Sequence, residues 1–164
     1  MSYSLHVTMR FEGKNMLSIT NPYQPASDEQ VTTFERRIGA KLPEDFRSFL
    51  LLHNGGKPNP KRFSTSDGKV ESMVSIFFPL SGETDETLVA EYENFTLRDQ
   101  LPPNLLSIAK DPTDNRITIA FQGDDVGAVY YWSCDEEPAP ASRSYVYLRK
   151  IADRFSDFAA KLHL

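Results

Sequence analysis

At 164 residues, with 40 % hydrophobic, 12 % aromatic and 25 % charged side chains, the chain has an ordinary globular composition and the length for one sizeable core, which excludes disordered and fibrous classes. Its longest apolar runs, Phe49 to Leu52 and Ile76 to Leu80, fall far short of the roughly 20 residues that cross a bilayer, so no membrane partner is expected. The net charge of -5 is unevenly spread: residues 1–82 carry ten Lys/Arg and eight Asp/Glu, residues 83–137 three and thirteen, and residues 138–164 five and two.

The opening segment alternates apolar residues at Tyr3, Leu5, Val7, Met9 and Phe11, the period of a half-buried strand. Glu12 to Asn15 supply a turn before Met16 to Ile19, so a hairpin is predicted over residues 3–19. Asn21-Pro22 and Gln24-Pro25 break it. Ser27 and Gln30 then have the spacing of a capping box, and Val31, Phe34 and Ile38 share one helical face that ends at Gly39. Leu42-Pro43-Glu44-Asp45 starts a second helix, with proline in the first turn and two carboxylates at the positive end of the helix dipole. Phe46, Phe49, Leu50 and His53 lie on one face of that helix, and Asn54-Gly55-Gly56 stops it. His53 is placed to cap the last helix carbonyls.

Lys57 to Pro60 is predicted as a proline-rich loop, Val70 to Pro79 as one strand, and Glu83 to Asp99 as an amphipathic helix bearing Leu88, Tyr92 and Phe95. Leu105 to Ala109, Arg116 to Phe121 and Ala128 to Trp132, separated by Asp111 to Asn115 and Gly123 to Gly127, form an antiparallel meander. Residues 135–144 read as an exposed loop, Tyr145 to Leu148 as a last strand, and Ile151, Phe155, Phe158 and Leu162 as one stripe of a final helix. The expectation is a single α+β domain over residues 1–164, mostly antiparallel sheet packed with about four helices, with residues 1–19 as an additional N-terminal hairpin.

The chemistry-bearing motifs are mostly missing. His6, His53 and His163 have no metal-ligand spacing, and no metal or cofactor is expected. Asp111 to Asn115 resembles the start of a calcium loop, but Arg116 and Gln122 stand where the glycine and the glutamate are required. The nucleophile elbow, P-loop and dinucleotide glycine motifs are absent. Cys134, the single cysteine, excludes an internal disulfide, and with the lack of a signal-like amino terminus it fits a cytoplasmic protein. A hydrolase would need Cys134 beside a histidine such as His53. Asp124-Asp125 reads as a solvated pair. The acidic block repels phosphate backbones, so no nucleic-acid partner is expected; it either attracts a basic protein or keeps the surface soluble.

Val31-Thr32-Thr33-Phe34-Glu35, Ile38-Gly39-Ala40-Lys41-Leu42-Pro43-Glu44-Asp45-Phe46, Phe49-Leu50 and Asn54-Gly55-Gly56 follow a known order, continued by Leu101 to Asp111, Asn115, Gly127 to Trp132 and Phe155-x-x-Phe158. Over about residues 27–162 the chain resembles the SMI1/KNR4 family of the SUKH superfamily. One departure is Asp114, where the family usually has glycine. The resemblance implies an α+β binding module without enzymatic activity or cofactor. Many bacterial members look like immunity proteins that neutralise a cognate toxin, often a nuclease; fungal relatives look like regulators of cell-wall synthesis, and a scaffold in wall or envelope synthesis is the alternative here. It further implies that Leu42, Pro43, Phe49, Asn54, Gly55, Gly56, Gly127 and Trp132 hold the fold, with the partner on loops. The candidate contacts for a basic protein are Asp111, Asp114, Asp124, Asp125, Asp135, Glu136 and Glu137. Monomer and homodimer stay open, as does a small ligand or peptide.

Overall fold

A computed structural model describes residues 5–10, 16–21, 23–133 and 147–164, with backbone alone for 5–10 and 16. Strands β1 (Leu5–Arg10) and β2 (Met16–Asn21) pair antiparallel from Leu5↔Asn21 to Arg10↔Met16, the expected hairpin; its turn lies outside the described residues. Leu17 and Ile19 of β2 are buried in the same core as the helices. On its other side β2 pairs with β3 (Lys57–Asn59), so the proline-rich loop predicted there is a strand. Pro58 lacks a donor, but β3 is the last strand of its sheet, where proline is tolerated.

Helix α1 (Asp28–Ile38) begins at the expected capping box: the Gln30 N–H donates to Ser27 Oγ at 3.1 Å and the Ser27 N–H to Gln30 Oε1 at 2.9 Å. It ends at Gly39 with φ 73°. Helix α2 (Glu44–Leu52) follows, joined to α1 by Glu35, whose Oε1 accepts from the Leu42 N–H at 3.1 Å and from Arg47 Nε at 3.2 Å. Asp45 reaches beyond its own helix and caps α4 (Phe155–Lys161) by accepting the Ser156 N–H at 2.9 Å.

The single strand predicted over 70–79 is two. β5 (Glu71–Met73) pairs with β4 (Arg62–Ser64), and β6 (Ile76–Phe77) pairs with β7 (Leu105–Lys110). The chain changes sheets between Val74, whose N–H donates to Lys61, and Ser75, whose N–H donates to Lys110. The predicted helix over 83–99 is also shorter. The Leu88 N–H donates to the Pro79 carbonyl and anchors the segment to the preceding strand end, Thr87 caps the helix start, and α3 (Leu88–Glu91) widens into one π-helical turn, Tyr92–Thr96.

The meander forms as expected from β7, β8 (Arg116–Ala120) and β9 (Val129–Trp132). The last strand, β10 (Leu148–Ala152), runs beyond the predicted end at Leu148, so Ile151 belongs to the sheet and not to the α4 stripe; the predicted loop over 135–144 and the predicted strand start at Tyr145 lie outside the described residues. Its register is set by β9, from Leu148↔Trp132 to Lys150↔Tyr130. The five-stranded sheet runs β10-β9-β8-β7-β6. Against one face packs a phenylalanine cluster, with Phe49 5.0 Å from both Phe77 and Phe155. A smaller cluster of Leu101, Leu105, Ala120 and Trp132 packs with Phe95. All five residues of β8 are buried, as a strand covered on both faces requires. The observed fold is α+β, with four α-helices and antiparallel sheets among the described residues.

The turn after α2 joins these parts. Gly55 (φ +85°) and Gly56 (φ +117°) sit so close to their neighbours that a Cβ on Gly55 would lie 2.6 Å from the Phe77 carbonyl oxygen, and one on Gly56 2.7 Å from Ile19 Cγ2. Gly39 also has positive φ but nothing within 4 Å of such an atom. Gly39→Ala therefore costs only left-handed strain, about 1–2 kcal/mol. Gly55→Ala and Gly56→Ala each cost more, about 3 kcal/mol or above, because backbone must also move. Urea unfolding of the three variants checks this order.

Candidate protein-binding surface

The turn between β7 and β8 is organised by Asp111. Its Oδ1 accepts from the backbone N–H groups of Thr113 and Asn115, both at 2.9 Å, and from Thr113 Oγ1 at 3.0 Å. Oδ2 accepts from Ser72 Oγ and the Tyr131 hydroxyl, both at 2.9 Å. Burial pushes the Asp111 carboxyl up, but the donors from Ser72, Tyr131, Asn115 and Thr113 outweigh it and hold the group below the usual carboxylate range. At 3 % exposure, with both oxygens engaged, Asp111 leaves the candidate contact set: it locks the turn instead.

Arg116 enters β8 buried, with Nε 2.9 Å from Glu91 Oε2 and NH1 2.9 Å from Asp114 Oδ1. Its guanidinium lies 5.6 Å from the Phe78 ring centre and 5.1 Å from that of Phe95. Burial pushes the Glu91 carboxyl up and Arg116 only partly offsets it. Lys110 is bound to Glu86 at 2.6 Å and lies 3.7 Å from Asp114. Arg116→Met leaves Glu91 buried without its counter-charge and costs about 3–5 kcal/mol at pH 7. Because an isolated buried carboxyl takes up a proton more readily when folded than unfolded, that deficit shrinks as the pH falls from 7 toward 4.5. Glu91→Leu combined with Arg116→Met recovers most of it; chemical denaturation at two pH values tests all three statements.

Of the other expected contacts, Asp124 is exposed, while Asp114 is exposed and engaged with Arg116 and Lys110. Asp125 is half-buried: Oδ1 accepts from Asn104 Nδ2 at 3.2 Å and Oδ2 from the Tyr130 hydroxyl at 2.7 Å. Asp135, Glu136 and Glu137, like Cys134, lie outside the described residues. Glu83 and Asp85, which the candidate set omits, are exposed. Nothing local distinguishes them in sequence from buried Glu91; only the helix start at Leu88 separates them.

Leu42 and Phe49 are in the main core, and Pro43 precedes the first residue of α2. Trp132 meets Phe95 edge-on with ring centres 5.6 Å apart. Gly127 has φ +93° and donates its N–H to the Ala120 carbonyl at 2.8 Å. Asn54 is buried and bridges two segments: Nδ2 donates to the Gln24 carbonyl and Oδ1 accepts from the Leu80 N–H, both at 2.8 Å. Between those segments lies a cleft of about 640 Å³, lined among others by Tyr23, Gln30, Leu80 and Glu83. A second hollow of about 360 Å³ adjoins it along α1, sharing Gln30, Leu80 and Ser81. Sequence motifs could not signal this cleft, since residues some 50 positions apart form its walls.

His53 terminates α2, but through its backbone N–H, which donates to the Phe49 carbonyl at 2.8 Å. The ring is not the charged cap expected from sequence: it is 3 % exposed, 5.4 Å from the Phe49 ring, and its buried Nε2 has no partner among the described residues. Burial pushes the imidazole down from 6.5. The unfolded chain therefore gains a proton near pH 6.5 that the folded chain does not. Stability is lost as the pH falls below 6.5, by up to about 1.4 kcal/mol per pH unit, until the folded ring protonates as well. His53→Phe removes this dependence, and denaturation midpoints of the two proteins at pH 7.5 and 5.5 reveal it as a difference in slope.

Among the described residues no three His, Cys, Asp or Glu side chains converge as a metal site would need, and no helix is long and apolar enough to cross a membrane. Residues 25–161 match the profile of the SMI1 / KNR4 family (SUKH-1). No curated protein matches the chain.

Proposed function

Since the chain belongs to the SMI1/KNR4 family (SUKH-1), we propose that it is a non-enzymatic protein-binding module of the immunity type, which neutralises a cognate toxin in the cytoplasm by stoichiometric binding. One observation carries this choice among the family's roles. In the acidic block, two of the three cations, Lys110 and Arg116, are taken up in ion pairs with Glu86, Glu91 and Asp114, and the third, Arg98, is exposed, as are Glu83, Asp85 and Asp124. That surface suits a basic partner such as a nuclease with a positive substrate groove, because opposite charge accelerates encounter. The other reading within the family, a regulatory scaffold in wall or envelope synthesis, has no comparable requirement for one-signed charge.

Co-purification with a tagged chain from its own cells, followed by co-expression in a naive host, tests the proposal: one dominant basic partner, toxic alone and harmless together with this protein, is expected. Several non-toxic envelope proteins, or no partner, overturn it in favour of the scaffold. With the partner in hand, Asp85→Lys, Asp124→Lys and Glu136→Lys together slow association about tenfold at low salt, with little change in dissociation and a difference that fades as salt rises. Stopped-flow association at two salt concentrations measures this, and an unchanged rate removes the acidic surface from the account. Asp125 is left intact because its two hydrogen bonds anchor the loop.

A further inference from the structure

The paired hollows beside α1 have a chemistry of their own. The floor of the second is apolar, since Phe34 and Leu80 are each 3 % exposed and Val89 is half-buried, and Leu80 carries that floor into the first. Their rim carries Glu29 and Glu83, both exposed and neither in an ion pair among the described residues. The one cation lining the hollows among the described residues, Arg37, is bound to Glu93. Asn54 ties the two walls together from below through Gln24 and Leu80, so the cleft is built into the fold. A third hollow, of about 550 Å³, is lined instead by Lys57, Lys61 and the Lys110–Glu86 pair and has the opposite net charge.

A groove with an apolar floor and unpaired carboxylates on its rim complements an extended chain in which an apolar side chain lies between cationic ones. We propose that this cleft seats a basic, extended segment of the protein partner, with its cationic side chains on Glu29 and Glu83 and an apolar side chain over Phe34 and Leu80. The proposal rests on the protein-binding role above and adds the seat and the chemistry of what enters it. Glu29 lies outside the acidic block and outside every contact expected from the sequence, whereas Glu83 belongs to the block, so the seat extends the surface that steers encounter onto α1.

The first test uses a capped octapeptide of alternating arginine and leucine, titrated into the isotopically labelled full chain. Saturable amide shifts are expected in α1 and in Leu80 to Thr84. Affinity should fall about tenfold in Glu29→Gln/Glu83→Gln, two surface changes that leave the core untouched. An octapeptide of alternating glutamate and leucine should leave those amides unmoved. Shifts confined to other regions, or equal affinity in the double variant, overturn the seat. The second test uses the toxic partner identified by co-purification. If Glu29→Lys/Glu83→Lys binds and neutralises it undiminished, the seat is wrong while the immunity role stands. If the arginine–leucine peptide occupies the cleft but no toxin is found, the seat stands and the immunity role falls.

Discussion

The close approach of backbones at Asn54-Gly55-Gly56 is the constraint on which the rest of the molecule depends. Gly55 lies against the Phe77 to Pro79 backbone, Gly56 lies against β2, and two hydrogen bonds, at 3.0 and 2.8 Å, join Gly56 to Phe77. The three-stranded sheet and the five-stranded sheet therefore meet at a residue that has no room for a side chain of its own. Asn54, one residue earlier with φ 50°, uses its amide to hold Gln24 and Leu80. The same turn that stops α2 thus fixes where two sheets abut and how far apart the walls of the cleft stand. Larger residues would have to displace backbone, which the phenylalanine cluster packed around Phe77 opposes.

The acidic block is a second organising feature, because its charge is divided between the interior and the surface. Asp111 and Glu91 are both buried, yet they are treated differently. Asp111 is surrounded by hydroxyl and amide donors and is held ionised by hydrogen bonds, whereas Glu91 depends on a single buried cation. Arg116 suits that place because its planar guanidinium can lie against Phe78 and Phe95 while still donating at its edge, which a lysine ammonium cannot do. The net charge of a sequence segment is therefore a poor measure of the field it presents: pairs such as Glu91–Arg116 cancel inside, and only Glu83, Asp85, Asp124 and their like act at a distance.

How legible the fold was in the sequence follows from how local each determinant is. The capping box at Ser27 and Gln30 and the glycine after Ile38 are complete within a dozen residues, and α1 has the expected bounds. The meander is also legible, because turns of Asp, Asn and Gly separate strands that pair with their neighbours. Val70 to Pro79 misleads because continuity of β-forming residues says nothing about which sheet receives them; the change of partner at Val74 and Ser75 is set by Lys61 and Lys110. Ile151 misleads because a spacing of four to Phe155 is equally produced by a strand end, a turn and a helix start. The cleft was illegible altogether: its apolar floor looks in sequence like ordinary core, and its rim like solvated charge.

Asp114 shows how a departure from a family pattern is absorbed. Its φ of 68° fits the glycine that the resemblance implies at this position, since left-handed backbone crowds a Cβ. Aspartate is among the few other residues that adopt this conformation readily, and its backbone N–H still closes the turn onto the Asp111 carbonyl at 3.1 Å. Glycine could do no more at the backbone. The carboxylate adds a contact glycine lacks, binding Arg116 NH1 at 2.9 Å beside the carbonyl of the same residue, which accepts from NH1 at 2.7 Å. The strained turn and the buried cation therefore support each other: Arg116 steadies the residue that must hold positive φ, and Asp114 supplies charge to the side of the guanidinium that Glu91 does not reach.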